Sequence, residues 1–509
     1  MIALVLVLLM IALLIILLVG KKPIEEPDSS KEAVFKMTEP DKSIALHGSK
    51  EFDGIEEVLK DPRLQGATTA ISIRKASDGE IVYANSGDVR VRPASVMKLL
   101  TGAAALEKLG PDHSFKTELY TDGAIEDGVL QGDLYLRGQG DPTLIKADLD
   151  DFAVDLQEKG ILTINGNIYG DDSWYDDVRL SQDLNWTDEL YYTGSQVSAL
   201  TISPNEDYDT GTVIVEVYPG GKAGEPGIVG MVPKNDYVHI VNEVQTVAKK
   251  GDKRIQVERE HGSNTIVVSG TMPIGSAKTR TWASVWEPTD FAVRLFKNAI
   301  EAKGIQFSPV HQVGRGVVPD KATLLTGKQS MPLGKLFIPF MKLSNNGHGE
   351  VLVKEMGRAV EGEGSWDKGL SVMDRSLAEM GVDMDTMLLR DGSGMSHKTL
   401  VTANEVTKLL YAIQTKSWYS EFLKALPVAG VEERFVGGTL RYRMKETAAV
   451  GNVKAKTGTL NGVMSLAGYV ESKDGEALIF TVIINNHLDE SAYELLDQIA
   501  VMLAHHKSD

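Results

Sequence analysis

The pattern of apolar and polar residues predicts two β-hairpins, one near each end of the chain. Apolar runs rich in β-branched residues span residues 67–74 and 80–84, with Asp78-Gly79 between them. An Asp-Gly pair between two such runs is typical of a tight hairpin turn. The runs 464–471 and 476–484 flank another Asp-Gly pair, so they predict a second hairpin.

Apolar residues at helical spacing predict helices between and after these hairpins. Residues 95–109 are mostly good helix formers that end at Gly110-Pro111, and residues 491–505 close the chain as an amphipathic helix. Between residues 120 and 326, short strand-like runs separated by Gly, Pro and Asp predict one or two inserted β-rich modules. We therefore expect an α/β (α+β) fold whose antiparallel sheet is built from both chain ends and flanked by helices.

The first fifty residues predict export. Residues 2–19 are all apolar and are followed by Lys21-Lys22, a length at the border between a signal-peptide core and a membrane-spanning helix. No Lys or Arg precedes the run, and residues 18–20 make a poor cleavage site, so a cleaved signal and a retained anchor both stay open. Residues 23–50 are polar and Pro-containing, as in a tether. We expect an exported protein, either anchored in the membrane or secreted.

Composition excludes several classes of chemistry. The 509 residues carry a net charge of −18 without an extended basic run, which argues against a nucleic-acid partner. The absence of cysteine excludes disulfides, thiolate metal sites and a cysteine nucleophile. The ten histidines include no His-Glu-x-x-His sequence, and His505-His506 resembles a polar tail. The sequence thus predicts neither a metal nor a cofactor.

The start of the 95–109 helix carries a reactive pair. Ser95 and Lys98 are three residues apart, so their side chains share one helix face. A lysine amine beside a serine hydroxyl can take the hydroxyl proton, and the helix N-terminus favours an incoming negative charge. Taken alone, a Ser-x-x-Lys sequence is common and also fits an ordinary helix start.

Two further short motifs give this pair a context. Ser344 and Asn346 form a Ser-x-Asn before a helical run, although Ser344 also suits a simple N-cap. Lys456-Thr457-Gly458 lies on an extended segment before the last hairpin. The order Ser-x-x-Lys, Ser-x-Asn, Lys-Thr-Gly is the motif set of penicillin-binding proteins and class A β-lactamases.

With these motifs the chain resembles the low-molecular-mass penicillin-binding proteins, and within them the D-alanyl-D-alanine carboxypeptidase/endopeptidase family. That family carries two domains inserted between the first and second motifs, which accounts for the long separation of Ser95 and Ser344. Other stretches that resemble the family include residues 140–144, 170–173, 391–394 and 426–430. We divide the chain into a signal peptide or anchor (1–22), a linker (23–50), a transpeptidase-like catalytic domain (51–117 and 328–509), an inserted domain (118–142 and 228–327) and a second domain nested in the insert (143–227).

The resemblance implies acyl transfer through a serine ester. Ser95 would attack the penultimate D-alanine carbonyl and Lys98 would accept its proton, with a pKa lowered by burial, the helix N-terminus and Lys456. Ser344 would relay the proton to the leaving D-alanine, and Asn346 would hold Lys98 and bond the substrate amide. The backbone N–H groups of Ser95 and the residue after Gly458 would hold the oxyanion.

The Lys-Thr-Gly-Thr segment is expected to bind the rest of the substrate. Lys456 would add positive charge for the terminal carboxylate, which the hydroxyls of Thr457 and Thr459 would grip. Gly458 would keep the strand edge clear so that the substrate lies along it as an added strand.

Stem-peptide preference is expected to depend on residues outside these motifs. In the family an acidic residue after a tryptophan contacts the diaminopimelate side chain, and Trp186-Thr187-Asp188 makes Asp188 the candidate, although a solvated loop aspartate is the plain alternative. Many relatives carry an arginine after Asp-Gly-Ser-Gly where this chain has His397, a weaker and pH-dependent partner for the substrate carboxylate. Asn461 is a further candidate contact.

The expected partners are peptidoglycan stem peptides, β-lactams as covalent inhibitors, and the membrane if the N-terminal segment is uncleaved. A serine β-lactamase is one alternative, but the chain lacks a convincing Glu-x-x-x-Asn between the second and third motifs. The other is a non-catalytic, penicillin-recognising wall-binding protein, which the intact Ser95 and Lys98 pair disfavours. The expected activity is that of a serine-type D-Ala-D-Ala carboxypeptidase, with DD-endopeptidase action left open.

Overall fold

A computed structural model describes residues 52–507 of the chain. The predicted export segment and linker lie outside these residues. Within the described part, none of the helices has the length and apolar character needed to cross a membrane.

The described chain alternates between strand-rich and helix-rich regions. The strands are β1 (Thr68–Lys75), β2 (Ile81–Asn85), β3 (Lys116–Thr121), β4 (Ala124–Glu126), β5 (Val129–Gln131), β6 (Leu134–Gly138), β7 (Thr163–Ile164), β8 (Ile168–Asp171), β9 (Thr212–Tyr218), β10 (Ile228–Val232), β11 (His239–Val247), β12 (Arg254–Arg259), β13 (Thr265–Pro273), β14 (Thr279–Ser284), β15 (Gln306–Phe307), β16 (Val313–Arg315), β17 (Thr323–Gln329), β18 (Lys454–Leu460), β19 (Val463–Glu471) and β20 (Ala477–Asn485). The α-helices are α1 (Asp53–Val58), α2 (Met97–Leu109), α3 (Lys146–Glu158), α4 (Pro288–Ala302), α5 (Leu333–Leu343), α6 (Asn346–Glu361), α7 (Trp366–Glu379), α8 (Ala403–Ala412), α9 (Tyr419–Ala425), α10 (Arg434–Gly437) and α11 (Tyr493–His505).

The central sheet joins the two ends of the described chain in the order β18-β19-β20-β1-β2, and its neighbouring strands are all antiparallel. Alternate residues of a strand point to opposite faces of the sheet, and both faces of this sheet are covered. Ile479 and Ile483 pack into a core shared with α2 and α5–α9. Phe480 and Val482 pack against α1 and α11 on the other face. The predicted fold class, both hairpins and the closing helix are confirmed.

Helix α2 runs through the middle of the helical layer, and every residue from Met97 to Leu106 is buried. Gly102 permits close packing on α5, since a Cβ there would lie 2.4 Å from the Phe337 ring. A helix buried on all sides carries any polar side chain it bears into the interior. The burial of Lys98 follows from this position.

The residues between α2 and α5 form four further sheets. Their strand orders are β16-β8-β6-β3-β17, β15-β7-β5-β4, β10-β9-β14 and β11-β13-β12. Strands β3 and β17 pair with each other, which brings the two seams of the inserted region together. Strand β9 pairs with both β10 and β14, and these pairings cross the predicted division at residue 227. The domain limits stay a prediction.

Candidate active site

Ser95 lies in a tight turn that precedes α2. The helix begins at Met97, two residues later than the predicted start, because Ala94–Val96 forms a 3₁₀ turn. Ala94 has a φ of +48°, a left-handed conformation that costs a non-glycine residue free energy. Gly394 packs on this turn so closely that a Cβ would lie 1.9 Å from the Ala94 carbonyl oxygen. The neighbouring loop thus holds Ser95 in place from behind.

Lys98 connects Ser95 to two other parts of the chain. Its Nζ atom lies 2.9 Å from Ser95 Oγ and 2.6 Å from Asn346 Oδ1, and it donates to the Ser393 carbonyl at 2.8 Å. The side chain is fully buried, and burial lowers the pKa of Lys98 to about 7, against the opposing charges of Glu350 and Asp391. A lysine with this pKa is partly neutral near pH 7, as a base requires.

Two buried carboxylates fix the loop that faces Lys98. Glu350 accepts the backbone N–H groups of Gly392 and Ser393 at 3.0 and 2.9 Å, and the Trp366 indole N–H at 2.7 Å. The Asp391 carboxylate accepts a hydrogen bond of 2.7 Å from the backbone N–H of Ser396. Burial, together with the charge of Glu350, raises the pKa of Asp391. The Ser393 carbonyl is thereby aimed at the lysine amine.

The Ser-x-Asn motif forms the junction between α5 and α6. Ser344 ends α5 with a φ of +64°, so the chain reverses there, and Asn346 is the first residue of α6. Asn346 Nδ2 donates to the Thr193 carbonyl at 2.8 Å, and the Asn345 amide donates to the Asp207 carbonyl at 2.7 Å. The inserted region therefore supports this motif from outside the central domain.

The Lys-Thr-Gly motif lies on β18, the outer strand of the central sheet. Lys456 Nζ donates to Ser344 Oγ at 2.8 Å and to the Thr457 carbonyl at 2.7 Å. Burial lowers the pKa of Lys456 far below its ordinary value, and the nearby charge of Lys98 lowers it further. Thr457 Oγ1 lies 2.8 Å from Thr439 Oγ1, whereas Thr459 is exposed.

Gly458 is required by the contact between β18 and the turn that holds Ser95. A Cβ at this position would lie 2.2 Å from Ser465 Oγ, 2.8 Å from the Pro93 carbonyl and 2.9 Å from the Ser95 backbone nitrogen. The missing side chain therefore points toward the nucleophile. The sequence analysis explained Gly458 by the need to keep the outer edge of β18 clear for the substrate. The structure gives a different explanation, namely the close contact of Gly458 with the turn that holds Ser95.

The structure places the five predicted catalytic side chains in two neighbouring sets of contacts. Ser95, Lys98 and Asn346 contact one another through the lysine amine, and Ser344 contacts Lys456. The charge of Lys98 reaches Lys456, which links the two groups electrostatically. The arrangement supplies a hydroxyl, a partly neutral amine and a second buried amine. Such a set can perform acyl transfer.

The predicted stem-peptide contacts Asp188, His397 and Asn461 lie outside both sets of contacts. Asp188 begins a 3₁₀ turn. Burial and the charge of Arg92 lower the pKa of His397, and the charge of Asp188 opposes this shift. His397 Nδ1 lies 3.3 Å from Arg92 Nη1. Asn461 is exposed in the turn between β18 and β19.

Sequence reasoning missed several residues of the site. Arg92, Glu350 and the carbonyl group of Ser393 each contact a predicted site residue or hold one in place. Arg92 stands three residues before the nucleophile, so proximity in sequence was the available signal. In the sequence, Glu350 resembles an ordinary polar residue of α6, because only the packing shows that it is buried.

Residues 52–506 match the D-Ala-D-Ala carboxypeptidase 3 (S13) family. The chain is 41% identical to the D-alanyl-D-alanine carboxypeptidase of Actinomadura sp. (strain R39), over 89% of this chain and 84% of that protein. It is 25% identical to the D-alanyl-D-alanine carboxypeptidase DacB of Haemophilus influenzae, over 83% of this chain and 86% of that protein. Its fold is similar to the crystal structure of penicillin binding protein 4 from Haemophilus influenzae, with a TM-score of 0.75 and 23% identity over 88% of this chain and 97% of that one. The chain therefore belongs to the D-Ala-D-Ala carboxypeptidase 3 (S13) family of serine peptidases.

Proposed function

We propose that this serine peptidase removes the terminal D-alanine from peptidoglycan stem peptides through an ester on Ser95. One observation carries the proposal: a fully buried lysine amine, that of Lys98, lies 2.9 Å from Ser95 Oγ and 2.6 Å from Asn346 Oδ1. Burial favours the neutral amine, which can accept the hydroxyl proton. Family membership supports the substrate class.

Acylation forms the ester and releases the last residue of the substrate. Ser95 Oγ bonds to the carbonyl carbon of the penultimate D-alanine while its proton passes to Lys98 Nζ. The carbon–nitrogen bond then breaks, and the leaving D-alanine nitrogen takes a proton through the Ser344 hydroxyl. The contact of Ser344 with Lys456 at 2.8 Å supports this relay, because the lysine amine donates to the hydroxyl oxygen and leaves the hydroxyl proton free to be passed on.

The substrate binds along β18 with its carboxylate near Lys456. A bound carboxylate favours the protonated, positively charged form of the Lys456 amine, and the hydroxyls of Thr457 and Thr459 donate to the carboxylate oxygens. Backbone N–H groups of Ser95 and Thr459 stabilise the oxyanion, a contribution of about 3 kcal/mol per donor. Water then hydrolyses the ester and restores Ser95.

A β-lactam reacts at the same serine but leaves the site slowly, because its ring-opened leaving group stays attached. The related Haemophilus influenzae protein has been crystallised in complex with a β-lactam.

We propose that the chain also cleaves crosslinks between stem peptides as a DD-endopeptidase. The reaction takes place outside the cytoplasm, which the apolar run at residues 2–19 supports.

Mass spectrometry after brief exposure to penicillin tests the proposal. We expect one adduct of penicillin mass on the peptide that contains Ser95, lasting many minutes, together with D-alanine release from stem-peptide mimics. The Ser95→Ala variant should form no adduct while keeping the circular dichroism of the wild type. An adduct on another peptide would identify a different nucleophile. Rapid penicillin turnover would favour a β-lactamase, and an adduct without any D-alanine release would favour a penicillin-recognising binding protein.

A further inference from the structure

The side-chain amide of Asn346 is held from two sides. Its Oδ1 atom accepts from the Lys98 amine at 2.6 Å, and its Nδ2 atom donates to the Thr193 carbonyl at 2.8 Å. The second bond fixes the orientation of the amide, because the reverse orientation would place two oxygens against each other. Thr193 belongs to the inserted region. The acceptor that Lys98 faces therefore depends on a segment outside the central domain.

The orientation of this amide matters for proton transfer. A neutral lysine amine has two N–H groups and one lone pair. Asn346 Oδ1 and the Ser393 carbonyl lie 2.6 and 2.8 Å from Lys98 Nζ and can accept the two N–H groups. The lone pair is then left for Ser95 Oγ, which lies 2.9 Å from the amine. Without the Asn346 acceptor, the amine would be free to turn away from the nucleophile.

Thr193 lies in a segment of two consecutive 3₁₀ turns, Asp188–Leu190 and Tyr192–Gly194, which we call the paired turns. Gly194 packs on the first turn so closely that a Cβ would lie 2.3 Å from the Asp188 carbonyl oxygen. Such close packing makes the two turns one unit. A group that holds the first turn therefore also sets the position of the Thr193 carbonyl.

Arg259, at the end of β12, holds the first of the paired turns. Its side chain is buried, and Nη2 donates to the Glu189 carbonyl at 2.8 Å and lies 3.7 Å from the Glu189 carboxylate. Nε donates to Ser284 Oγ at 3.1 Å, and this hydroxyl donates to the same Glu189 carbonyl at 2.5 Å. Nη1 donates to the carbonyl groups of Glu260 and Ser263 at 2.8 Å each. These bonds tie the turn to β14 and to the connection between β12 and β13.

The fixed geometry of this guanidinium suits it to a positioning role, because a planar set of N–H donors binds several acceptors in set directions. We propose that Arg259 is a positioning residue for acylation, an inference that rests on the proposed function. Through the Glu189 carbonyl it fixes the paired turns, and through the Thr193 carbonyl these turns fix the Asn346 amide with its oxygen toward Lys98. Arg259 takes no part in proton transfer itself.

Stopped-flow penicillin acylation across pH tests the proposal with Arg259→Met, Arg259→Lys and the control Arg254→Met. Arg254 lies on the same strand, but its side chain is 81% exposed and pairs with Asp252. Gly194→Ala disturbs the paired turns without altering Arg259, because its Cβ would press on the carbonyl of the first turn. The midpoint of thermal unfolding shows which variants fold.

We expect Arg259→Met to lower the plateau acylation rate by roughly ten- to hundredfold, because a small misplacement of a reacting group is enough for such a loss. The rising limb should also lie about 0.5 pH unit lower, since an acceptor that faces the amine favours its protonated form and the variant weakens this contact. The variants leave unchanged the titratable groups that interact with Lys98, namely Glu350, Asp391, Lys456 and His348. A merely structural loss would lower the plateau and leave the limb at the wild-type pH.

Arg259→Lys should fall between the wild type and Arg259→Met, because an ammonium lacks the planar fork of donors. Gly194→Ala should reproduce both effects, and it decides the outcome if Arg259→Met does not fold. Wild-type rates in the folded variants, or a lower plateau with the rising limb at the wild-type pH, would overturn the positioning role. Failure of penicillin to acylate the wild type would overturn the proposed function instead.

Discussion

Nη1 of Arg92 lies 3.3 Å from Nδ1 of His397, so a guanidinium stands beside the imidazole that the sequence nominated for the substrate carboxylate. The side-chain oxygens of Asn485 and Asn486 hold this guanidinium at 3.2 and 2.6 Å. Within residues 52–507, Arg92 forms no ion pair with a carboxylate. Its charge is thus available to an anionic group of the substrate, whereas the pKa of His397 is lowered by burial and by Arg92.

Arg92→Ala should impair stem peptides whose diamino acid carries a free carboxylate. We expect kcat/KM to fall about tenfold to hundredfold on such peptides relative to peptides without that carboxylate, the range for a charged hydrogen bond. His397→Ala should have a smaller effect, because the imidazole is mostly neutral at pH 7. Arg90→Ala is the control, since Arg90 donates to the Thr386 carbonyl on the surface. An equal loss on both peptides would assign Arg92 a structural role.

The rate of penicillin acylation should rise with pH through about 7. Lys98 is protonated below its pKa of about 7, and only the neutral amine accepts the Ser95 proton, so acylation at pH 6 should be roughly tenfold slower than at the plateau. The charge of Glu350 raises the pKa of Lys98, so Glu350→Gln should move the rising limb to lower pH. Stopped-flow labelling across pH measures both, with Glu355→Gln as a buried-carboxylate control. If the rising limb of the Glu350→Gln variant lies at the same pH as that of the wild type, this electrostatic account is wrong.

Gly458→Ala should separate β18 from the turn that holds Ser95. The added methyl would meet the Ser465 hydroxyl and the Pro93 carbonyl at 2.2 and 2.8 Å, so we expect a loss of about 1–3 kcal/mol in the free energy of unfolding and a large drop in penicillin labelling. Gly230→Ala on β10 is the matched control, because a Cβ there meets nothing within 4 Å. Labelling at the wild-type rate would show that this close contact is dispensable.

Asp188→Ala should lower activity on diaminopimelate-bearing peptides more than on simple acyl-D-Ala-D-Ala. The reason is that the charge of Asp188 acts on His397, which lies beside Arg92. Comparison of kcat/KM on the two substrates measures the effect. If both values fall by the same factor, Asp188 has no subsite role.

The local pattern of the sequence was sufficient for the elements and for the family. Asp-Gly pairs between β-rich runs predicted both hairpins, because a turn of this kind depends on neighbouring residues alone. The order of the three motifs predicted the penicillin-binding resemblance, which the match to the S13 family confirms. The start of α2 differs from the prediction: the helix begins at Met97 and not at Ser95, because the turn at Ala94 is set by its contact with Gly394.

By itself, the sequence determined which residue types the site contains, namely a serine and a lysine one helical turn apart and a second lysine near the end. Only the tertiary structure decided their electrostatics, because the pKa of Lys98 depends on burial and on Glu350, a residue with no motif of its own. Only the tertiary structure placed Arg92 beside His397, 305 positions away in the chain. Contacts between distant segments arise from the packing of whole elements, and no local pattern encodes them.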